Sequence, residues 1–196
     1  YPQVDEFVCN ACHKCVRVCP GYNAFRHESC TRKPRYYGGH LKDDPIRTKS
    51  SSGGLFTALA EDILKQRGTV YGAVLNFERM AVVHQRGTHP EAVARMRTSK
   101  YVQSDTSEIL PKVKQDLEGD HPVLFTGTPC QIAGLDGYLG RHADNLLTID
   151  LGCPGVPSPG LFASHFSEME DKLESPITQI NFRTKDKGWG SFLNFF

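Results

Sequence analysis

Four cysteines fall within the short stretch "CNACHKCVRVCP": Cys9, Cys12, Cys15 and Cys19, with Pro20 behind them. Their spacing is C-x2-C-x2-C-x3-C-P, the run that carries a 4Fe-4S cluster. Such a cluster needs thiolates converging from several directions. Two-residue gaps wrap the backbone around one side and bring its amides to the sulfurs, while the longer gap carries the fourth thiolate away. Zinc is the competing reading, although zinc sites more often pair two C-x-x-C knuckles across a longer loop. Disulfides fit neither the close spacing nor the odd total of seven cysteines. In proteins with two clusters the fourth cysteine of a run ligates the other cluster, so Cys19 has two possible destinations.

Three loops further along carry groups able to hold a ligand. In "KSSSGG", Ser50, Ser51 and Ser52 offer hydroxyls, Gly53 and Gly54 allow close backbone approach, and Lys49 and Arg47 add positive charge. Ahead of a helix this makes a cradle for a cofactor phosphate. The plainer reading is a serine-capped helix behind a flexible loop. It is neither a Walker A motif nor a dinucleotide fingerprint. In "TGTPCQIAG", Thr126, Gly127 and Thr128 lead to Cys130 at a helix start, where a thiol has a depressed pKa and suits metal ligation or redox work. Taken alone, that cysteine reads as a small buried one. Cys153 in "GCPGVPSP" holds the same place after the next strand, so the two thiols together form half of a second cluster site. In "TSKYVQSD", Lys100 and Tyr101 sit between two predicted helices, and Lys100 faces either a phosphate, a flavin ring or solvent. Cys30 reads as an idle surface thiol, with a third ligand to that second cluster site as the alternative, and Trp189 as core or turn packing. The histidines, His13, His84 and His121 among them, show no metal spacing and receive no role.

These loops need a scaffold, and 196 residues can bury one sizeable core. With 23% charged residues and a net charge of +1, electrostatics point to neither nucleic acid nor a membrane surface. No apolar run approaches the roughly 20 residues of a membrane span. No secretory signal is visible, and the cysteine usage agrees with a reducing cytoplasm. The absence of an initial methionine and the aromatic run "GWGSFLNFF" at the end read as the cut edges of a longer chain.

Residues 1–25 form the cysteine module, a small ferredoxin-like unit. Residues 26–49, polar, basic and broken by Pro34, Gly38, Gly39 and Pro45, read as a connector. Residues 50–196 alternate between helices and strands. A serine-capped helix with a buried stripe of Leu55, Phe56, Leu59 and Ile63 comes first, then two strands in antiparallel pairing, "TVYGAVLNF" and "MAVVHQRG". "HPEAVARMR" is a short helix. "SDTSEILPKVKQDLEG" is another, capped at Ser104 or Asp105, with Pro111 inside it. Two strand–loop–helix units and a final strand–turn–strand complete the domain. The pattern predicts an α/β fold with a mostly parallel sheet and flanking helices. In such sheets ligands gather at the carboxyl ends of strands, where "TGTPC" and "GCPGVPSP" both sit.

Taken together, "CNACHKCVRVCP", "RTKSSSGGLFTALAEDIL", "RTSKYVQSD", "VLFTGTPCQIAGL", "LTIDLGCPGVPSP" and "INFRTKDKGW" resemble, in order and approximate spacing, the beta subunit of coenzyme F-420-reducing hydrogenases and dehydrogenases. The likeness covers nearly the whole chain and is nearest to the bacterial members that accompany polysaccharide pyruvyl transferases. Chlorophyllide and hydroxymethyl-chlorophyll reductases are more distant. The resemblance implies an FAD-containing iron-sulfur oxidoreductase that couples hydride or two-electron chemistry at the flavin to one-electron transfer. Its partner would be a ferredoxin-like protein or a partner subunit, and its substrate a deazaflavin or a sugar-linked metabolite. By the same resemblance the flavin would lie among Lys49, Ser51, Ser52, Gly53, Gly54, Lys100, Tyr101, Thr126, Gly127 and Thr128. Cys9, Cys12, Cys15 and Cys19 would carry one 4Fe-4S cluster. Cys130 and Cys153 match ligands that relatives complete with a further C-x-x-C pair, absent here, so a second cluster is expected in the full-length protein. Pro154 stands where many relatives have histidine, and a proton-transfer role for that residue does not carry over.

Overall fold

The computed structural model describes residues 3–23, 33–185, 188 and 191–195. The expectations for Cys30 and Trp189 lie outside these residues. In chain order the elements are α1 (Lys14–Val18), α2 (Pro20–Asn23), α3 (Asp44–Thr48), α4 (Leu55–Lys65), β1 (Thr69–Asn76), β2 (Ala81–Gly87), α5 (Pro90–Met96) and β3 (Ser104–Asp105). Then follow α6 (Leu110–Asp116), β4 (Val123–Gly127), α7 (Pro129–Leu139), β5 (Leu146–Asp150), α8 (Pro159–Leu173), β6 (Ile180–Thr184) and β7 (Ser191–Phe195).

Five strands form one sheet in the order β3-β2-β1-β4-β5. The β1–β2 pairing is antiparallel; β1–β4, β4–β5 and β2–β3 are parallel. This is the mostly parallel α/β sheet expected. β6 and β7 pair antiparallel as a separate two-stranded sheet.

Alternation along the central strands feeds the two faces. Val70, Val74 and Leu124 meet Ala60, Ile63, Val93 and Met96 of α4 and α5 on one side. Tyr71, Val123 and Phe125 meet Val113 and Leu135 of α6 and α7 on the other. A third cluster joins Val82, Val102, Phe162, Phe166, Ile180 and Phe182, seating α8 and β6 against the β2 edge.

Two local expectations change. α4 buries Thr57, Ala60 and Ile63, while Leu55 and Leu59 stay 52% and 41% exposed. The buried arc is therefore displaced by roughly 90° around the helix, because the small Thr57–Ala60 face lets α4 lie close and Thr57 Oγ1 accepts from Arg97 Nε at 3.1 Å. Its N-cap is Gly54, at φ 82°, with no side-chain cap. Ser104 and Asp105 form β3 instead of capping α6, and Pro111 sits in the first turn of α6, where its missing N–H costs nothing.

Candidate functional site

The cysteine run folds as a loop leading into α1. Ala11 and His13, on either side of Cys12, adopt φ of 54° and 56°. Where left-handed residues alternate with right-handed ones, successive N–H groups turn toward one concavity, an arrangement that receives anionic groups. Asn10 Oδ1 accepts from the Cys12 amide at 3.2 Å, and Arg17 Nη2 donates to the Cys12 carbonyl at 3.3 Å. Cys9, Cys12, Cys15 and Cys19 are all exposed. Among the described residues no three metal-binding side chains converge into a ready group. Four thiols within eleven residues, two on the loop, one in α1 and one at its C-cap, are nonetheless a donor set that fits an iron-sulfur cluster.

This module rests on α7. A side chain at Gly137 would meet the Val18 carbonyl at 3.0 Å and Val18 Cβ at 3.1 Å, so glycine is what lets α1 approach there. Beside this contact runs a groove of about 530 Å³ whose walls include Cys19, Pro20, Pro129, Ile132, Asp136 and Asp150. The groove thus joins the cysteine module to the carboxyl ends of β4 and β5.

Those two strands end in register. Gly127 pairs with Asp150, and the Leu151 amide continues the ladder onto the Gly127 carbonyl at 3.0 Å. Cys130 and Cys153 each lie three residues past that pair, both exposed. Thr128 is the N-cap of α7 in a capping box with Gln131, and its hydroxyl lies 3.1 Å from Cys130 Sγ. The Thr126 hydroxyl is committed to the Tyr71 carbonyl at 3.0 Å.

The serine loop is held from several directions. Ser50 Oγ donates to the Ile46 carbonyl at 2.7 Å, and Ser51 Oγ accepts from the Ser99 amide at 2.8 Å. Lys185 Nζ donates to the carbonyls of Arg47 and Ser52 at 2.8 and 2.7 Å. The close approach that Gly53 and Gly54 permit is taken by the protein's own chain: side chains there would meet Gly39, His40 and Leu41 at 3.1–3.3 Å. Lys49 and Ser52 remain exposed.

Lys100 does not reach outward. Its Nζ lies 2.9–3.1 Å from the carbonyls of Arg95, Met96, Arg97 and Thr98, closing the C-terminal end of α5. Burial pushes its pKa down to about 7, while the carbonyls and the helix end act the other way. Replacing it, Lys100→Met, is expected to destabilise the ligand-free protein by about 1–3 kcal/mol, read as a shift of the urea midpoint. A lysine that served only a ligand phosphate would leave that midpoint unmoved.

One segment gathers these parts. The Ser99 amide reaches Ser51, the Gln103 amide reaches the Pro157 carbonyl at 3.4 Å in the Cys153 loop, and Ser104 Oγ accepts from Gln131 Nε2 at 2.8 Å. Ser99 and Ser104 are five positions apart, so their Cα atoms lie at most about 18 Å from one another. Tyr101, in the same segment, is 43% exposed with its ring edge-on to Phe182. A larger cleft of about 610 Å³, walled by Arg67, Arg86, Lys112 and Asp116, opens at the amino ends of β1 and β4 and contains none of the predicted residues.

Residues 36–111 match the model of the N-terminal region of the coenzyme F420 hydrogenase/dehydrogenase beta subunit, and residues 120–195 match that of its C-terminal region. The chain belongs to this beta-subunit family. It is 25% identical over 197 aligned residues to one of the F(420)H(2) dehydrogenase subunits of Methanosarcina mazei, a match covering 93% of the chain and 51% of that protein. The chain therefore spans about half the length of that relative. Its fold is shared with a chain of the F420-reducing NiFe hydrogenase complex from Methanosarcina barkeri, at a TM-score of 0.53 and 18% identity, over 84% of this chain and 63% of that one.

In this beta-subunit chain the sequence patterns gave no role to His84, Gln131 or Lys185, all of which shape the loops. Gln131 carried a signal: Thr128 followed three residues later by Gln is the capping-box pattern. The partners of Lys185 lie 133 and 138 residues away, and no local pattern announces them. Among the described residues, no helix is long and apolar enough to cross a membrane.

Proposed function

We propose that this chain is the FAD- and cluster-binding part of an oxidoreductase. In this reading, two-electron chemistry on an organic substrate is coupled to one-electron transfer through a 4Fe-4S cluster. The observation that carries the reading is the segment 99–104, hydrogen-bonded to the serine loop, the Cys153 loop and the α7 start. The flavin supplies hydride exchange and single-electron release. Lys49, Ser52 and Tyr101 are the exposed predicted residues that could meet it, and the Thr128 hydroxyl, beside Cys130 Sγ, is a further donor. Lys185, Ser51 and Lys100 act one step back, fixing the backbone that bears those groups.

Cys9, Cys12, Cys15 and Cys19 would hold the cluster, and docking on α7 brings their module to the groove shared by Cys19 and Pro129. Cys130 and Cys153, in matching register, would contribute to a second cluster in the full-length protein. The family supports a deazaflavin as the organic substrate; the likeness to polysaccharide-associated members supports a sugar-linked one. The electron partner is a ferredoxin-like protein or a partner subunit; the names of the relatives, a dehydrogenase subunit and a hydrogenase complex, support the second.

Anaerobic purification of the full-length protein followed by a visible spectrum and iron, zinc and flavin analysis tests this. Flavin bands over a broad thiolate–iron shoulder near ~400 nm are expected. Iron without flavin would reduce the protein to an electron-transfer subunit, and a colourless zinc-loaded protein would sink the proposal.

A further inference from the structure

Beneath the α7 start lies a run of hydrogen bonds that has one consistent direction when His84 is neutral. Gln131 Oε1 accepts from the Thr128 amide at 3.0 Å, which turns Gln131 Nε2 toward the Ser104 carbonyl at 3.1 Å and Oγ at 2.8 Å. Ser104 Oγ, already accepting, has its own hydrogen for His84 Nδ1 at 3.0 Å. Nδ1 then accepts, the ring hydrogen sits on Nε2, and Nε2 donates to the Thr126 carbonyl at 2.9 Å. His84, Ser104 and Gln131 are 5%, 8% and 9% exposed, and His84 lies flat on Phe125 with ring centroids 5.2 Å apart.

Both ends of this run hold the same loop. One end fixes the Thr126 carbonyl, the other the Thr128 amide, and Gly127 between them has no room for a side chain, since Gln131 Oε1 would be 3.0 Å away. We infer that His84, Ser104 and Gln131 are positioning residues, a buried relay across β2, β3 and α7 that sets the 126–130 loop for the flavin. The inference rests on the proposed flavin reading for its purpose, though not for its geometry. A second proton on His84 would reverse the Ser104 bond, turning its hydroxyl hydrogen away and making Oγ accept from both Nδ1 and Gln131 Nε2. Burial lowers the His84 pKa and so favours the neutral ring; Asp105 opposes this and Lys100 adds to it.

The test compares full-length wild type with His84→Phe, which keeps the aromatic stack and removes both hydrogen bonds, and with His84→Gln, which retains a donor near Nε2. Three quantities are read: FAD affinity, iron per chain, and hydrogen–deuterium exchange of the peptide containing the Thr128 amide. For His84→Phe the expected results are FAD binding weakened about tenfold, Thr128 exchange faster about tenfold, and iron per chain unchanged. His84→Gln should recover most of both losses. Should His84→Phe fail to fold, Ser104→Ala, which deletes one hydroxyl of the relay, must show both shifts. Unchanged exchange and affinity in the folded variants overturn the relay. If wild type binds no FAD, the functional reading fails by itself, and the relay then stands or falls on the exchange rates.

Discussion

Cys12→Ser is expected to strip the iron from the full-length protein, abolish electron delivery to a one-electron acceptor, and leave FAD affinity within about twofold. A serine hydroxyl stays protonated where a thiol ionises, so it cannot replace a thiolate ligand. Cys12 sits between the left-handed Ala11 and His13, at the middle of the run. Losing the ligand there removes the centre of the run. The hydrogen bonds at Cys12 go to Asn10 and Arg17, none to the serine loop, segment 99–104 or the 126–130 loop. Sites that share no partners respond almost independently, to within a few tenths of a kcal/mol. Iron and flavin assayed on the same preparation decide the matter. Joint loss of both would mean that α7, which seats Val18 on Gly137 and carries Cys130 on its first turn, transmits the damage from one site to the other.

Gly68→Ala is expected to destabilise the fold by about 3 kcal/mol, toward the upper end of overpacking costs, and to lower the melting temperature by roughly 6–12 °C for a chain of this size. A Cβ at Gly68 would lie 2.3 Å from the Pro122 carbonyl, 2.7 Å from Ile63 Cγ2 and 2.9 Å from the Ile63 carbonyl. Two of these three neighbours are backbone, which cannot swing aside. The Gly68 amide closes α4 on the Ile63 carbonyl at 2.9 Å, and the next amide, Thr69, opens the β1–β4 pairing on Pro122 at 2.9 Å. Relief therefore requires pulling β1 from β4, the pair on which both main hydrophobic clusters rest. A urea titration should show a lower midpoint with an unchanged slope. Gly134→Ala in α7, where a Cβ meets nothing within 4 Å, is the control, and should gain roughly 0.5–1 kcal/mol from helix propensity. Equal stability of Gly68→Ala and wild type would mean that the α4–β1 corner can open without cost.

What could be read along the chain was whatever depends on neighbours in sequence. The order of the main helices and strands, the β1–β2 antiparallel pair and the placement of Cys130 and Cys153 after adjacent strands are all short-range patterns, and the fold agrees with them. The motifs that mark the beta-subunit family are likewise contiguous. Tertiary structure decided how the side chains are used. Leu55 and Leu59 are apolar at helical spacing, yet the buried arc of α4 was chosen by what could come close to Thr57 and Ala60. Lys100 carries a charge suited to a phosphate, but its ammonium is taken up by the exposed carbonyls ending α5. His84, given no role in one dimension, meets Ser104 and Thr126 only after β2 has been placed beside β3 and across the sheet from β4. Propensity and spacing say little about which partner a side chain takes. For His84, Ser51 and Lys185 the deciding partners lie tens to more than a hundred residues away, and for Lys100 they are nearby carbonyls exposed only once α5 ends where it does.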